Sequence, residues 1–181
     1  MGNRWTVAGR TVLITGGTSG LGRTAADAIA DAGAHLVILG RSEERNEATA
    51  VELRRDHDAS VEHITCDLGS LDDVAAAADE FRERFDDLAV LVNNAGSIHG
   101  LRRTESVDGV ELTMAVNHLG HFALTLRLLD LIRASAPARI VNVTSDAHVW
   151  AKEGFDLDTW DPAGGFATHR RYGMSKLANL L

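Results

Sequence analysis

At 181 residues, 45% of them hydrophobic and 24% charged, the chain has the size and composition of one globular domain and is marginal for two. A formal net charge of -8 argues against non-specific attraction to nucleic acid or an anionic membrane, though a local basic pocket for a phosphate still fits inside an acidic protein. The one cysteine, Cys66, excludes an intrachain disulfide, so a reducing compartment, the cytoplasm by default, is expected.

The periodicity alternates between short apolar runs and longer amphipathic stretches. Before the first run, Met1-Gly2-Asn3-Arg4-Trp5-Thr6 formally fits an N-myristoylation pattern, but Thr6 to Val12 reads as the approach to a strand. Thr11 to Thr15 is a β-branched strand ending in glycines, and Leu21 to Ala32 follows with helical spacing before the stop at Gly33. His35 to Leu39 is a second strand, and Ser42 caps a charged helix running to Asp56. Val61 to Thr65 is a third strand. Ser70 to Phe85 is an alanine-rich helix with Asp72 and Asp73 in its first turn, where the helix dipole favours them.

Leu88 to Val92 is a fourth strand, and Val110 to Ala134 is one long helix, parted by Pro137 from a fifth strand at Arg139 to Val143. Ala147 to Arg170 is a long connection containing Trp150, Trp160, Pro162 and Phe166; its aromatics either line an apolar pocket or cover the sheet edge. From Tyr172 the pattern is helical again. No apolar run reaches membrane-spanning length, no secretory signal stands at the start, and neither a repeat nor a linker divides the chain. Strands separated by helices imply parallel βαβ units, and near-continuous apolar strands imply a sheet covered on both faces. The expectation is a single α/β domain over residues 1–181: a doubly wound parallel sheet, Rossmann-like, in three αβα layers, with its ligand at the carboxyl ends of the strands.

Thr15-Gly16-Gly17-Thr18-Ser19-Gly20-Leu21-Gly22 lies between the first strand and the first helix. Glycines there let backbone approach a pyrophosphate that the helix N-terminus stabilises. A plain glycine-rich turn is the competing reading, and the spacing departs from the common dinucleotide fingerprint; the strand-to-helix context favours the cofactor loop. The second strand ends in Gly40-Arg41-Ser42, with no carboxylate until Glu43. A carboxylate there would bind a ribose 2′-hydroxyl and repel a 2′-phosphate, whereas Arg41 and Ser42 suit a phosphate. NADP is therefore expected over NAD, with a solvated surface arginine as the alternative for Arg41.

The ordered set Thr15-Gly16-x-x-x-Gly20-x-Gly22, Asn93-Asn94-Ala95-Gly96, Asn117, Ser145 and Tyr172-x-x-x-Lys176 resembles the short-chain dehydrogenase/reductase family, classical branch. Ala115-Val116-Asn117-His118-Leu119-Gly120-His121-Phe122 and Ser175-Lys176-Leu177-Ala178-Asn179 resemble its retinol-dehydrogenase-like group. The resemblance implies that Gly16, Gly20 and Gly22 shape the cofactor loop, with Ser19 and Leu21 beside the phosphates. Asp67 would bond the adenine amino group with Leu68 alongside, Asn94, Ala95 and Gly96 would line the cofactor channel, and Asn93 would steady the sheet. Tyr172 and Lys176 would share a helix face, the neighbouring ammonium favouring the phenolate of a side chain that otherwise titrates near ~10. Tyr172 would act as general acid/base and Lys176 would also bond the nicotinamide ribose. Ser145 would bond the substrate oxygen, and Asn117 would hold a relay water.

The same resemblance implies a small alcohol or carbonyl substrate with a lean toward apolar ones, and a homo-oligomer built on the long helix and the catalytic helix where the full family fold is present. The family fold continues with two further strands, the helix between them and a segment that closes over substrate, all beyond Leu181. The fifth strand would then be an unprotected edge. Two functions stay in view: an NADP-dependent oxidoreductase acting on CH-OH groups, and a truncated, non-catalytic dinucleotide-binding protein. His118 and His121, three apart on a helix, have metal-ligand spacing, but no acidic or cysteine partner is evident and no metal is expected.

Overall fold

Five short β-rich runs pair in parallel, and the helices between them cover both faces of the resulting sheet. The computed structural model describes residues 5–100, 102–152, 154–155 and 167–181. The start of the N-terminal pattern at Met1 to Arg4, together with Trp160, Pro162 and Phe166, lies outside the described residues. The strands are β1 (Thr11–Thr15), β2 (His35–Gly40), β3 (Val61–Thr65), β4 (Val90–Asn93) and β5 (Arg139–Asn142), in the spatial order β3-β2-β1-β4-β5. All four pairings are parallel, and Ile14 of β1 sits level with Ile38 of β2 and Val92 of β4.

Strand alternation sorts the core into two halves. Leu13, Val37, Leu39, Ile64 and Leu91 face α3 (Leu71–Arg84) and α5 (Gly120–Ala134), where Phe81, Leu124 and Leu128 are fully buried. Val12, Ile14, Leu36, Ile38 and Val90 face α1 (Gly20–Asp31) and α2 (Glu43–His57) through Ala26, Ala30, Ala50 and Leu53. This is the expected three-layer doubly wound arrangement. The topological switch falls between β1 and β4, because β2 and β3 extend to one side of β1 while β4 and β5 extend to the other.

Local signals act as expected at α2 and α3: the hydroxyls of Ser42 and Ser70 accept from the amides of Arg45 and Asp73. The long helix differs from expectation. Residues 112–134 form a short α segment, α4 (Leu112–Met114), a π turn at Ala115–Leu119, and then α5. Glu111 caps α4 by accepting from the amides of Thr113 and Met114, so the helix begins after Val110. The last helix, α6 (Thr168–Ala178), starts a turn earlier than Tyr172, and a 3-10 turn at Asp146–Trp150 occupies part of the long connection. β5 is an outer strand, exposed at every position, with Ile140 and Val141 both more than a third exposed.

The far ends of α1 and α2 are clipped by His57, whose ring nitrogens lie 3.0 Å from Asp27 and 3.5 Å from Asp31. The hydrogen bond to Asp27 outweighs burial and raises the imidazole above its ordinary value. A raised folded-state value means this stabilisation is complete below the unfolded value near ~6.5 and is lost as pH rises through the folded one. His57→Gln is therefore expected to lower the urea midpoint at about pH 5.5 and leave it nearly unchanged at about pH 9, as followed by circular dichroism.

Candidate active site

At the carboxyl ends of the strands a single cleft of about 680 Å³ runs from the glycine loop across the switch point to α6. It brings together Gly16, Ser19, Gly20, Leu21, Gly22, Arg41, Asp67, Leu68, Asn94, Ala95, Gly96, Ser145, Tyr172 and Lys176, which chain order scatters over the ends of all five strands, the start of α1 and the last helix. Two expected residues do not line it. The Ser42 hydroxyl caps α2 by accepting from the Arg45 amide, which leaves its own O–H able to donate. Asn117 is fully buried behind the wall, in the π turn.

The glycine loop is shaped by close approach. A side chain at Gly22 would collide with the carbonyl of Gly16 and the amide of Asn94, so only glycine lets α1 start against β1. The Asn94 side chain completes the contact by donating to the carbonyls of Thr15 (2.8 Å) and Gly16 (3.3 Å). Unlike α2 and α3, α1 has no side-chain cap: Ser19 leaves its first-turn N–H groups open at the cleft. Open amides, a backbone cradle without Cβ atoms and a positive helix end are what a pyrophosphate requires.

At the other side of the loop lie Arg41 and Arg45, neither with an ion-pair partner among the described residues. Two unpaired guanidinium groups at one end of a cleft in an acidic protein suit a second anionic group. A side chain at position 40 would also have to displace Oδ1 of Asn46, whose amide donates to the Gly40 carbonyl at 2.8 Å. Arg45 was not among the expected residues; its place one helical turn beyond Arg41 was the available signal. Thr18, Ser97, Ile98, His99, Val143 and Thr144 also line the cleft without having been expected. Cys66 lines it too, but burial pushes its thiol up to about 12, which leaves it a packing residue and no nucleophile.

The α6 end is held rigidly. The Lys176 ammonium donates to the Val143 carbonyl at 3.2 Å, and the Lys176 carbonyl accepts from the Thr144 hydroxyl at 2.7 Å. Consecutive residues leaving β5 thus fix both the side chain and the backbone of Lys176. Burial lowers its ammonium from the ordinary lysine value. The ammonium lies 5.7 Å from the centroid of the Tyr172 ring, which Trp150 approaches from another side at 6.4 Å. Ser145 caps the 3-10 turn, accepting from the Ala147 amide (3.1 Å) and donating to Asp146 (3.0 Å).

Asn117 acts from behind. Its Oδ1 accepts from the Ser97 amide at 2.8 Å, and its Nδ2 donates to the Ser97 carbonyl and the Ser175 hydroxyl, both at 3.0 Å. Ser175 in turn donates to the Tyr172 carbonyl at 2.8 Å. Asn93 bonds Asn142 and Thr125 across β4, β5 and α5.

A Rossmann-like α/β domain whose switch-point cleft joins a glycine loop to a tyrosine–lysine pair is the class that the fold and site define. The chain belongs to the short-chain dehydrogenase family, whose sequence model, described as short chain dehydrogenase, matches residues 10–155. It is an oxidoreductase family, and within it the chain is retinol-dehydrogenase-like. Retinol dehydrogenase 13 of Homo sapiens is 37% identical over 179 residues, covering 97% of this chain and 53% of the relative. Retinol dehydrogenase 12 of Mus musculus is 38% identical over 177 residues, covering 97% and 55%. Among solved structures, an uncharacterized protein from Mycobacterium paratuberculosis superposes with a TM-score of 0.79 at 37% identity, covering 97% of this chain and 60% of that one. The RhlG/NADP active-site complex from Pseudomonas aeruginosa gives a TM-score of 0.76 at 32% identity, covering 96% and 64%. The chain spans about half the length of the curated relatives it matches.

Gly22→Ala is expected to weaken binding of a nicotinamide dinucleotide at least about tenfold, the consequence of forcing a methyl group into a closed contact. Fluorescence titration of NADPH checks it, with circular dichroism confirming that the sheet survives.

Proposed function

We propose that the protein transfers a hydride between NADP(H) and an alcohol or carbonyl substrate, with Tyr172 as the general acid/base. The observation that supports this reading best is the single cleft: a phosphate cradle at one end, unpaired arginines beside it, and Tyr172 with Lys176 at the other end. A bound nicotinamide would supply the hydride chemistry.

The chain's own residues divide the remaining work. Gly16, Gly20 and Gly22 admit the pyrophosphate, with Ser19 and Leu21 beside it. Asp67 and Leu68 take the adenine, and Asn94, Ala95 and Gly96 line the path to the nicotinamide. Arg41, joined by Arg45, holds the adenosine 2′-phosphate; Ser42 contributes there by capping the helix that carries Arg45. Tyr172 delivers or accepts the proton at its Oη. The Lys176 ammonium favours the phenolate by its charge, against the burial that lowers its own value, and bonds the ribose hydroxyls. The Ser145 hydroxyl turns from the exposed Asp146 to the substrate oxygen. A relay water at Asn117 would use the remaining lone pair of Oδ1, because both side-chain N–H groups are engaged.

Trp150 beside Tyr172, and the exposed Ile98 on the cleft wall, favour an apolar substrate. Phe122 and Leu126, four apart and half exposed on α5, favour association of two copies along that helix. No helix among the described residues is long and apolar enough to cross a membrane. The cytoplasm remains the compartment of this reading, with the chloroplastic TIC 32 A dehydrogenase of Brassica napus as a relative named for another.

Two experiments test the proposal. Tyr172→Phe is expected to cut carbonyl reduction by roughly 10²–10⁴-fold while NADPH affinity is unchanged. NADPH binding by the unmodified chain without turnover on a broad carbonyl panel would instead support the non-catalytic dinucleotide-binding reading. Arg41→Asp is expected to weaken NADPH binding on the order of 30-fold and leave NADH binding nearly unchanged. A preference of the unmodified protein for NADH at equal concentration overturns the assignment of Arg41.

A further inference from the structure

The two histidines with metal-ligand spacing part company in the fold. His118 bonds Asn179 at 3.0 Å and stacks on Phe122. His121 turns inward and is almost wholly buried. Its Nδ1 lies 3.1 Å from the Asn117 carbonyl and its Nε2 lies 2.8 Å from the Thr15 hydroxyl.

Hydrogen-bond counting orients every proton in this chain of contacts. A carbonyl only accepts, so Nδ1 carries the hydrogen that His121 gives to Asn117. The Thr15 oxygen already accepts from the amides of Asn94 (3.0 Å) and Ala95 (2.9 Å). Both of its lone pairs are taken, so it donates; the Val92 carbonyl lies at 3.5 Å and Nε2 at 2.8 Å, so the shorter contact makes Nε2 the acceptor. His121 is therefore a single neutral tautomer. Its surroundings agree: burial foremost, with Lys176 on α6 and His118 on its own helix opposing a second charge, lowers its titration to about 4.

The two ends of this chain matter to the cleft. Asn94 and Ala95 line it, and Thr15 is the last residue of β1 before the glycine loop. The Asn117 carbonyl belongs to the π turn, where the backbone ladder slips by one residue and Gly120 reaches back to Ala115. A second side chain, Asn179 of the α6 C-cap, donates to that same carbonyl at 3.0 Å. We propose that His121 is a positioning residue that ties the π turn bearing Asn117 to the Thr15 hydroxyl, so that the loop of Asn94 and Ala95 and the helix of Tyr172 and Lys176 keep one spacing. This rests on the proposed oxidoreductase reading for its purpose, but its geometry stands independently of turnover.

The test combines nitrogen NMR with exchange and cofactor measurements on the full 181-residue chain. His121 is expected to show an unprotonated Nε2 and a protonated Nδ1 that do not titrate between about pH 5 and 8, against ~6.5 for a free imidazole. His121→Phe is expected to speed hydrogen exchange of the Asn94 and Ala95 amides by about five- to tenfold, the loss of roughly one buried hydrogen bond. Thr15→Val should do the same, Thr15→Ser should restore slow exchange, and the double variant His121→Phe/Thr15→Val should be little worse than either single one. NADPH affinity should fall in parallel. A protonated Nε2, a titration near the free value, or additive effects of the two variants overturns the proposal. If the unmodified chain binds no NADPH, the oxidoreductase reading fails, while the tautomer and the exchange at Asn94 and Ala95 still decide the role of His121. A His121→Phe chain too unstable to measure leaves the NMR titration of the unmodified protein and the Thr15→Ser rescue as deciding results.

Discussion

The carboxyl ends of β1 and β4 lie side by side, and the backbone contact made there sets the position of nearly everything else. Parallel pairing puts Ile14 level with Val92, so Thr15-Gly16 and Asn93-Asn94 leave the sheet together. The Asn94 side chain then spans to the carbonyls of Thr15 and Gly16, while the Thr15 hydroxyl holds the amides of Asn94 and Ala95. Two crossing loops with reciprocal bonds have little freedom to separate, because each buried group freed would be left unpaired. α1 packs directly on this junction at Gly22, and the π turn reaches it through His121. The glycine loop, the loop after β4 and, through Asn117, α6 therefore share one fixed point.

How much of this was legible in the chain depends on the range of the forces involved. β1 and β3 have the bounds that their β-branched runs imply, and Ser42 and Ser70 cap the helices that they precede, because both effects are decided within a few residues. The π turn was not legible. Its sequence is helix-compatible throughout, and the bonds its Asn117 carbonyl receives from His121 and Asn179 include one from 62 positions away. At Ser42 the hydroxyl beside Arg41 also caps α2, and Arg45, one turn on, stands in the cleft. The motif residues were legible as a set, but Asn117 acts through Ser97 and Ser175 from behind the wall, which linear order does not reveal.

Charge is distributed so that the net value misleads locally. Most described arginines are committed to carboxylates, carbonyls or rings: Arg23 to Glu52, Arg10 to Pro137 and Ser135, and Arg139 to the face of Trp5 at 3.8 Å. Arg41 and Arg45 are not, and they stand where the fold opens its cleft. An acidic surface that brings two uncommitted cations together at one end of a groove favours an anion there. The pattern follows from pairing as much as from placement, since an ion-paired arginine presents little field beyond its partner.

The two edges of the sheet show the same division between closed and open. On β3 the outer carbonyls of Val61 and His63 are taken by Arg54 (2.7 Å) and Arg84 (3.0 Å), and Arg84 is itself anchored by Glu62. Such guards block another strand from adding to that side. β5 has no comparable guard among the described residues, and its Ile140 and Val141 remain open on both faces. Yet the chain beyond β5 is where Lys176 is fastened, through Val143 and Thr144. The ties from the end of β5 to α6, and from the π turn to Thr15, hold the ammonium beside Tyr172 against the carboxyl end of the sheet.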